Sequence, residues 1–112
     1  MESLRGRAAF AELRSAGRRV RRGTVTVTWV PGDPAEPPRV AYAVGRRAGG
    51  AVVRNRIRRR LRSIVREVGA ELVPGAYLVG AGADAATLPY GELRTTVSEA
   101  LRAVTARRGR AA

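Results

Sequence analysis

The 112-residue sequence contains no cysteine, no histidine and no lysine; all 22 of its basic residues are arginine. Without cysteine there is no disulfide framework, no thiolate metal site and no thiol redox chemistry. Without histidine, the usual acid–base group at neutral pH and the commonest zinc ligand are both missing. Aromatic residues make up only 4% of the chain, so the core must come from small aliphatic side chains and stability is modest. No apolar run approaches the roughly 20 residues that span a bilayer. Residues 1–10 lack the apolar stretch of a secretory signal. The expectation is one small domain over residues 1–112, located in the cytoplasm.

Acids are scarce as well. Nine stand against the 22 arginines, for a net charge of +13. Solubility does not require that excess, which points to nucleic acid or an anionic membrane surface as partner. A guanidinium fork suits bidentate phosphate contact and stacking better than an ammonium does. The missing lysine has a plainer origin in the arginine codons of a GC-rich genome, but the charge itself still calls for a partner.

The charge is concentrated. Arg46 to Arg62 holds eight arginines and no acid. Arg46-Arg47 precede a Gly49-Gly50 hinge, and Ala51–Val68 then carries Val53, Ile57, Leu61, Ile64 or Val65, and Val68 at helical spacing. Arg54, Arg58 and Arg62 form an i,i+4 row of like charge, which costs a helix about 0.2–0.5 kcal/mol per pair. Phosphates would turn that cost into binding energy. Arg54 and Arg56 point away from the apolar stripe. Asn55 is a poor helix former and calls for a hydrogen-bond partner, either a bound nucleic acid or the Arg46–Gly50 turn.

Around this stretch, Ser3–Ala16 reads as a helix with Leu4, Ala9, Phe10, Leu13 and Ala16 on one face, stopped by Gly17. Arg18, Arg19, Arg21 and Arg22 crowd a short connection around Val20, placed to meet phosphate. Thr24–Val30 alternates as a half-buried strand, with Val25, Val27 and Trp29 on one side and threonines on the other. Pro31–Pro38 is a loop. Arg39–Val44 is a second strand with Val40, Tyr42 and Val44 inward, and Ala76–Ala81 a short third. Pro89 opens a last helix carrying Leu93, Val97, Leu101 and Val104, and 107–112 reads as a flexible tail. Trp29 and Tyr42 read as core; Phe10 divides between core and a stacking role. Glu67 and Glu71, one turn apart, lack a histidine or third acid to make a catalytic pair and offset nearby arginines instead. The fold class is α+β, a two-layer α-β sandwich of order α-β-β-(β)-α-β-α.

Ala51-Val52-Val53-Arg54-Asn55-Arg56-Ile57-Arg58-Arg59, with Arg46-Arg47 and Gly49 before it, closely resembles the arginine-rich "RNR" signature of the bacterial ribonuclease P protein subunit. The resemblance extends over most of the chain: Phe10 and Gly17, the strand Arg39–Val44, the strand Ala76–Ala81, and Tyr90 with Leu93 all fit its pattern. It implies a left-handed crossover between the parallel strands flanking the signature, where general topology favours a right-handed one. It also implies the non-catalytic protein subunit of an endoribonuclease, in which the RNA subunit removes the 5′ leader of precursor tRNA with Mg²⁺ held mainly by RNA and substrate. Partners would be that RNA and precursor tRNA, with no membrane and a monomeric polypeptide. Carried over by position, the RNA-binding residues are Arg46, Arg47, Arg54, Asn55, Arg56, Arg58, Arg59 and Arg62. The leader cleft comprises Phe10, Arg14, Thr26, Thr28, Ala41 and Ala43. No catalytic or metal-ligating residue is assigned to the polypeptide.

The chain departs from the family pattern at Arg14 and Thr28, where aromatics or histidine are common. Gly50 replaces an Asn, Ser63 a Glu, and Gly82 a basic residue. A cleft so poor in stacking groups shifts the expected contacts toward hydrogen bonds and phosphates. Two other readings of the charge stand beside this one. The first is a structural RNA-binding protein of the ribosomal kind. The second is a duplex-DNA binder inserting Arg54, Arg58 and Arg62 into a major groove, although no dimer signature supports it.

Overall fold

The computed structural model describes residues 17–111 together with Glu2, Ser3, Ala11, Leu13 and Ser15. Its centre is a five-stranded sheet formed by β1 (Glu2–Ser3), β2 (Arg18–Arg22), β3 (Val25–Pro31), β4 (Arg39–Ala43) and β5 (Gly75–Ala81), in the order β1-β4-β5-β3-β2. β2, β3 and β5 pair antiparallel, whereas β4 runs parallel to β5 and β1 parallel to β4. Parallel neighbours need a crossover, and α1 (Ala51–Val68) supplies it between β4 and β5. The second helix, α2 (Tyr90–Ala111), follows a 3-10 turn at Ala83–Ala86.

Strand periodicity sorts the side chains onto two faces. One face carries the cross-strand rows Tyr42–Val79–Val27–Val20 and Val40–Tyr77–Trp29–Arg18. Val25, Val27, Trp29, Tyr77 and Val79 are fully buried there, against Ile57, Leu61, Ile64 and Val65 of α1 and Leu93, Val97 and Val104 of α2. The helical stripes expected in both segments are therefore the core stripes. The Trp29 and Tyr77 rings are tilted 32° to one another with centroids 6.3 Å apart, and each polar tip has a carbonyl partner. Trp29 Nε1 donates to Pro74 O at 3.3 Å and the Tyr77 hydroxyl to Val73 O at 2.6 Å, as buried polar groups require.

Burial pushes the Tyr77 hydroxyl pKa up to about 12, with only partial relief from its bond to Val73 O. A neutral phenol is thus favoured in the folded state. The associated stability is intact below the ordinary tyrosine pKa of about 10. It is lost as pH climbs from there through about 12. The urea midpoint of Tyr77→Phe is expected to fall less over that alkaline window than that of the parent chain.

Several expectations require correction. Of the Ser3–Ala16 helix, Ala11, Leu13 and Ser15 are helical, but Ser3 pairs with Val40 as part of β1; the remaining residues of that span, Phe10 and Arg14 among them, lie outside the described residues. Arg18–Arg22 is an edge strand rather than a connection. Its single apolar residue, Val20, is buried while the arginines flank it, and charge along an edge discourages pairing with another chain. Tyr42 is half-buried at the core margin.

Candidate nucleic-acid interface

α1 places its charge by simple geometry. With Ile57, Leu61, Ile64 and Val65 fixed inward, the intervening positions of an 18-residue helix must point outward. Asn55, Arg56, Arg59 and Arg62 are exposed, and Arg54 and Arg58 are half-buried. Arg46 and Arg47 are exposed on a 3-10 turn just ahead of the helix, anchored by buried Ala48. Gly49 follows with φ +142, where an added Cβ would press on the Val53 side chain at 3.0 Å. The helix begins at Gly50 with no side-chain cap and no acid in its first turn. Its first N–H groups and the positive end of its dipole therefore have no anion from the helix itself.

Among the described residues no acid pairs with the arginines of this stretch. Among the described residues the ion pair is Arg94 Nε with Glu67 Oε2 at 3.7 Å, outside it and exposed. Glu67 also accepts from the Tyr90 hydroxyl at 2.8 Å, which lies 3.0 Å from Ser63 Oγ. Glu67 thus ties α1 to α2, as its expected role of offsetting arginine implies.

The arginines are not equivalent. Arg58 Nη1 donates to Asn55 Oδ1 at 3.0 Å, so Asn55 finds its partner within the helix and not in the Arg46–Gly50 turn. The Arg62 guanidinium lies over the Tyr42 ring, 5.4 Å from its centroid. Burial raises the Tyr42 pKa, opposed by the charges of Arg62 and Arg66. Arg54 Nε is buried without a partner. Arg56 Nε donates to Ala86 O at 3.0 Å, and Arg60 donates to Ala85 O and Leu88 O. Arg56 therefore points away from the apolar stripe but is held by a turn. Within the row Arg54–Arg58–Arg62, Arg58 is thus tied to Asn55 and Arg62 is laid over Tyr42.

The sheet face opposite the helices forms a second feature. Its rows are Ala43–Gly80–Thr26–Arg21 and Ala41–Leu78–Thr28–Arg19. Small and hydroxylated side chains make a shallow floor, and two arginines of the edge strand close one side. The resulting groove encloses about 740 Å³, with Leu13 and Gly17 at one end and Thr24 and Gly82 at the other. Gly17 permits a close crossing, since a Cβ there would meet Leu13 O and the Thr28 methyl.

The structure brings Thr26, Thr28 and Ala43 together in this groove. Ala41 is buried instead beneath Leu13, beside Ala76, because the helical residues cover its end of the row. Phe10 and Arg14 lie outside the described residues. Arg19, Arg21, Leu78 and Gly80 are groove residues absent from the sequence-based set. The alternation Arg-Arg-Val-Arg-Arg held the signal for the first two: if Val20 is inward, Arg19 and Arg21 share the threonine face. Gly82 packs so closely that a Cβ would lie 3.1 Å from Thr24 Oγ1. Among the described residues no cluster of three acidic, histidine or cysteine side chains is suited to a metal ion. No helix among them is long and apolar enough to cross a membrane.

Comparison with known proteins agrees with this geometry. The family model for ribonuclease P matches residues 1–105. The chain is 42% identical over 114 residues to the ribonuclease P protein component of Thermobifida fusca, covering 95% of this chain and 78% of that one. To the component from Symbiobacterium thermophilum it is 39% identical over 97 residues, covering 86% and 84%. Its fold superposes on the RNase P protein of Staphylococcus aureus with a TM-score of 0.81 at 18% identity, covering 92% and 94% of the two chains. For the RNase P protein of Thermotoga maritima the TM-score is 0.80 at 21% identity, with 93% and 98% covered. With the arginine signature on the crossover helix and the family's fold around it, the chain belongs to the ribonuclease P protein family, the protein components of an RNA-containing endoribonuclease that matures tRNA.

Proposed function

We propose that this protein acts through two faces of one sheet-and-helix scaffold. The arginine face of α1 and its preceding turn bind the RNA subunit, and the threonine groove receives the 5′ leader of precursor tRNA. One observation carries the reading: the eight arginines between Arg46 and Arg62 pair with no acid among the described residues, while the opposite sheet face ends in a separate groove edged by Arg19 and Arg21. A folded RNA presents a dense phosphate surface that satisfies the first, and the open N-terminal turn of α1 adds backbone donors for phosphate. An extended single strand fits the second. Arg19 and Arg21 reach its phosphates, and the Thr26 and Thr28 hydroxyls supply hydrogen bonds that tolerate any sequence.

Leader contacts exist with the precursor and vanish with the product, so they act as discrimination between the two. The sequence has no histidine, and the described residues hold no cluster of ligands for Mg²⁺. In this reading the metal belongs with the phosphate oxygens of the RNA subunit and substrate, and bond cleavage is theirs. The protein works as a monomer within a cytoplasmic ribonucleoprotein.

Crosslinking tests the assignment of faces. Photoreactive residues at Thr26 and Ala43 are expected to label the precursor's leader, and one at Arg54 the RNA subunit. Labelling of the RNA subunit from Thr26 and Ala43, with no product on the leader, would reverse the assignment.

A further inference from the structure

Arg60 is the one arginine of the Arg46–Arg62 stretch whose guanidinium spans two backbone carbonyls, those of Ala85 and Leu88. Arg56 adds a third bond in the same place, to Ala86 O. These oxygens close the carbonyl end of the Ala83–Ala86 turn, where unsatisfied acceptors and a partial negative charge favour a cation. Ala85 and Ala86 are buried in the core, so the turn sits rigidly once its carbonyls are held.

The turn leads straight back to the groove. Ala85 N–H donates to Gly82 O at 3.1 Å, and Gly82 N–H donates to Thr24 O and Thr24 Oγ1, each at 3.0 Å. Thr24 and Gly82 both line the groove. A continuous series of hydrogen bonds therefore runs from α1, through the turn, to the groove rim. We propose that Arg60 is a positioning residue for the leader groove and not a contact to the RNA subunit. It acts through Ala85, Gly82 and Thr24, setting the rim against which the leader lies. Arg60 thereby separates from its neighbours Arg58, Arg59 and Arg62, whose charge faces outward. The inference rests on the leader-groove reading given above.

Arg60→Lys is the discriminating variant. Lysine keeps the charge but offers a point donor where the fork bridges two carbonyls. Reconstituted holoenzymes with the parent chain, Arg60→Ala and Arg60→Lys would be compared for affinity toward precursor tRNA with and without its leader. Salt titration of RNA-subunit binding would run in parallel. Both variants are expected to lower the leader-dependent gain by about fivefold, the worth of one neutral hydrogen bond. Both should leave the salt slope of RNA-subunit binding unchanged. An unchanged leader-dependent gain in both variants would overturn the inference. So would a slope reduced in Arg60→Ala by about one phosphate contact, roughly 0.9, and restored in Arg60→Lys. Should Arg60→Ala fail to assemble, the leader-dependent gain of Arg60→Lys decides alone. If the parent holoenzyme itself gains nothing from the leader, the groove reading fails and this inference with it.

Discussion

Raising salt from about 50 to about 200 mM is expected to weaken the protein's complex with its RNA subunit by about 10³–10⁵-fold, the loss typical of six to ten phosphate contacts. Seven arginines are placed for such contacts: Arg46, Arg47, Arg54, Arg56, Arg58, Arg59 and Arg62. Arg60, committed to Ala85 and Leu88 carbonyls, is left out of that number. The same salt should act on the free protein with the opposite sign. Screening relieves the like-charge row Arg54–Arg58–Arg62, whose pairs cost about 0.2–0.5 kcal/mol each, so the isolated chain should hold or gain slightly in stability. A binding isotherm and a urea titration at matched salt concentrations separate the two effects. A flat binding response would mean that phosphates do not dominate the interface.

The largest effect on stability is expected at Gly75. Its φ of +142 lies where L side chains rarely go, and a Cβ there would run into Trp29 Nε1 and the backbone oxygen of Val30. Trp29 cannot yield easily. It is fully buried, bonded to Pro74 O and packed on Tyr77. Val30 O belongs to the β3 backbone opposite the start of β5, so relief would require the ladder itself to shift. Gly75→Ala should therefore lose about 3 kcal/mol or more, combining backbone strain with overpacking. That is a large part of the 5–15 kcal/mol typical of a small domain. Gly91→Ala, on α2 with open space around it, is the matched control and should be neutral or slightly stabilising. Equal urea midpoints for Gly75→Ala and the parent chain would show that the ladder accommodates the methyl.

Periodicity made much of this fold legible in advance. Ala51–Val68 has the boundaries that its apolar spacing implies, because Ile57, Leu61, Ile64 and Val65 are all buried in one continuous core. The alternation around Trp29 was equally clear, since β3 lies between β2 and β5 with one face buried. Arg18–Arg22 was harder to read because a strand with one apolar residue resembles a solvated link. Only its pairing with β3 reveals the two rows that Arg19 and Arg21 complete. Tyr42 has the spacing of a core residue but lies beside the helix carrying Arg62, and the guanidinium covers its ring.

The candidate site was legible as charge and not as assignment. Spacing alone indicates which arginines point outward, but not which of them meet a carbonyl far along the chain. Arg56 and Arg60 find theirs across the crossover, 30 and 25 residues later in the sequence. Ala41 shows the converse limit. It shares its strand face with Ala43, yet Leu13 covers it and leaves Ala43 exposed. A two-residue repeat fixes the face of a strand, whereas coverage along that face depends on which distant segment lands there.

The most direct measurement is the affinity of precursor tRNA and of its leaderless product for the RNA subunit at modest Mg²⁺, each with and without this protein. Tighter binding of the leader-bearing substrate when the protein is present, with little change for the leaderless product, is the result expected here. Identical values with and without the protein, or phosphodiester hydrolysis by the purified polypeptide free of RNA, would contradict it.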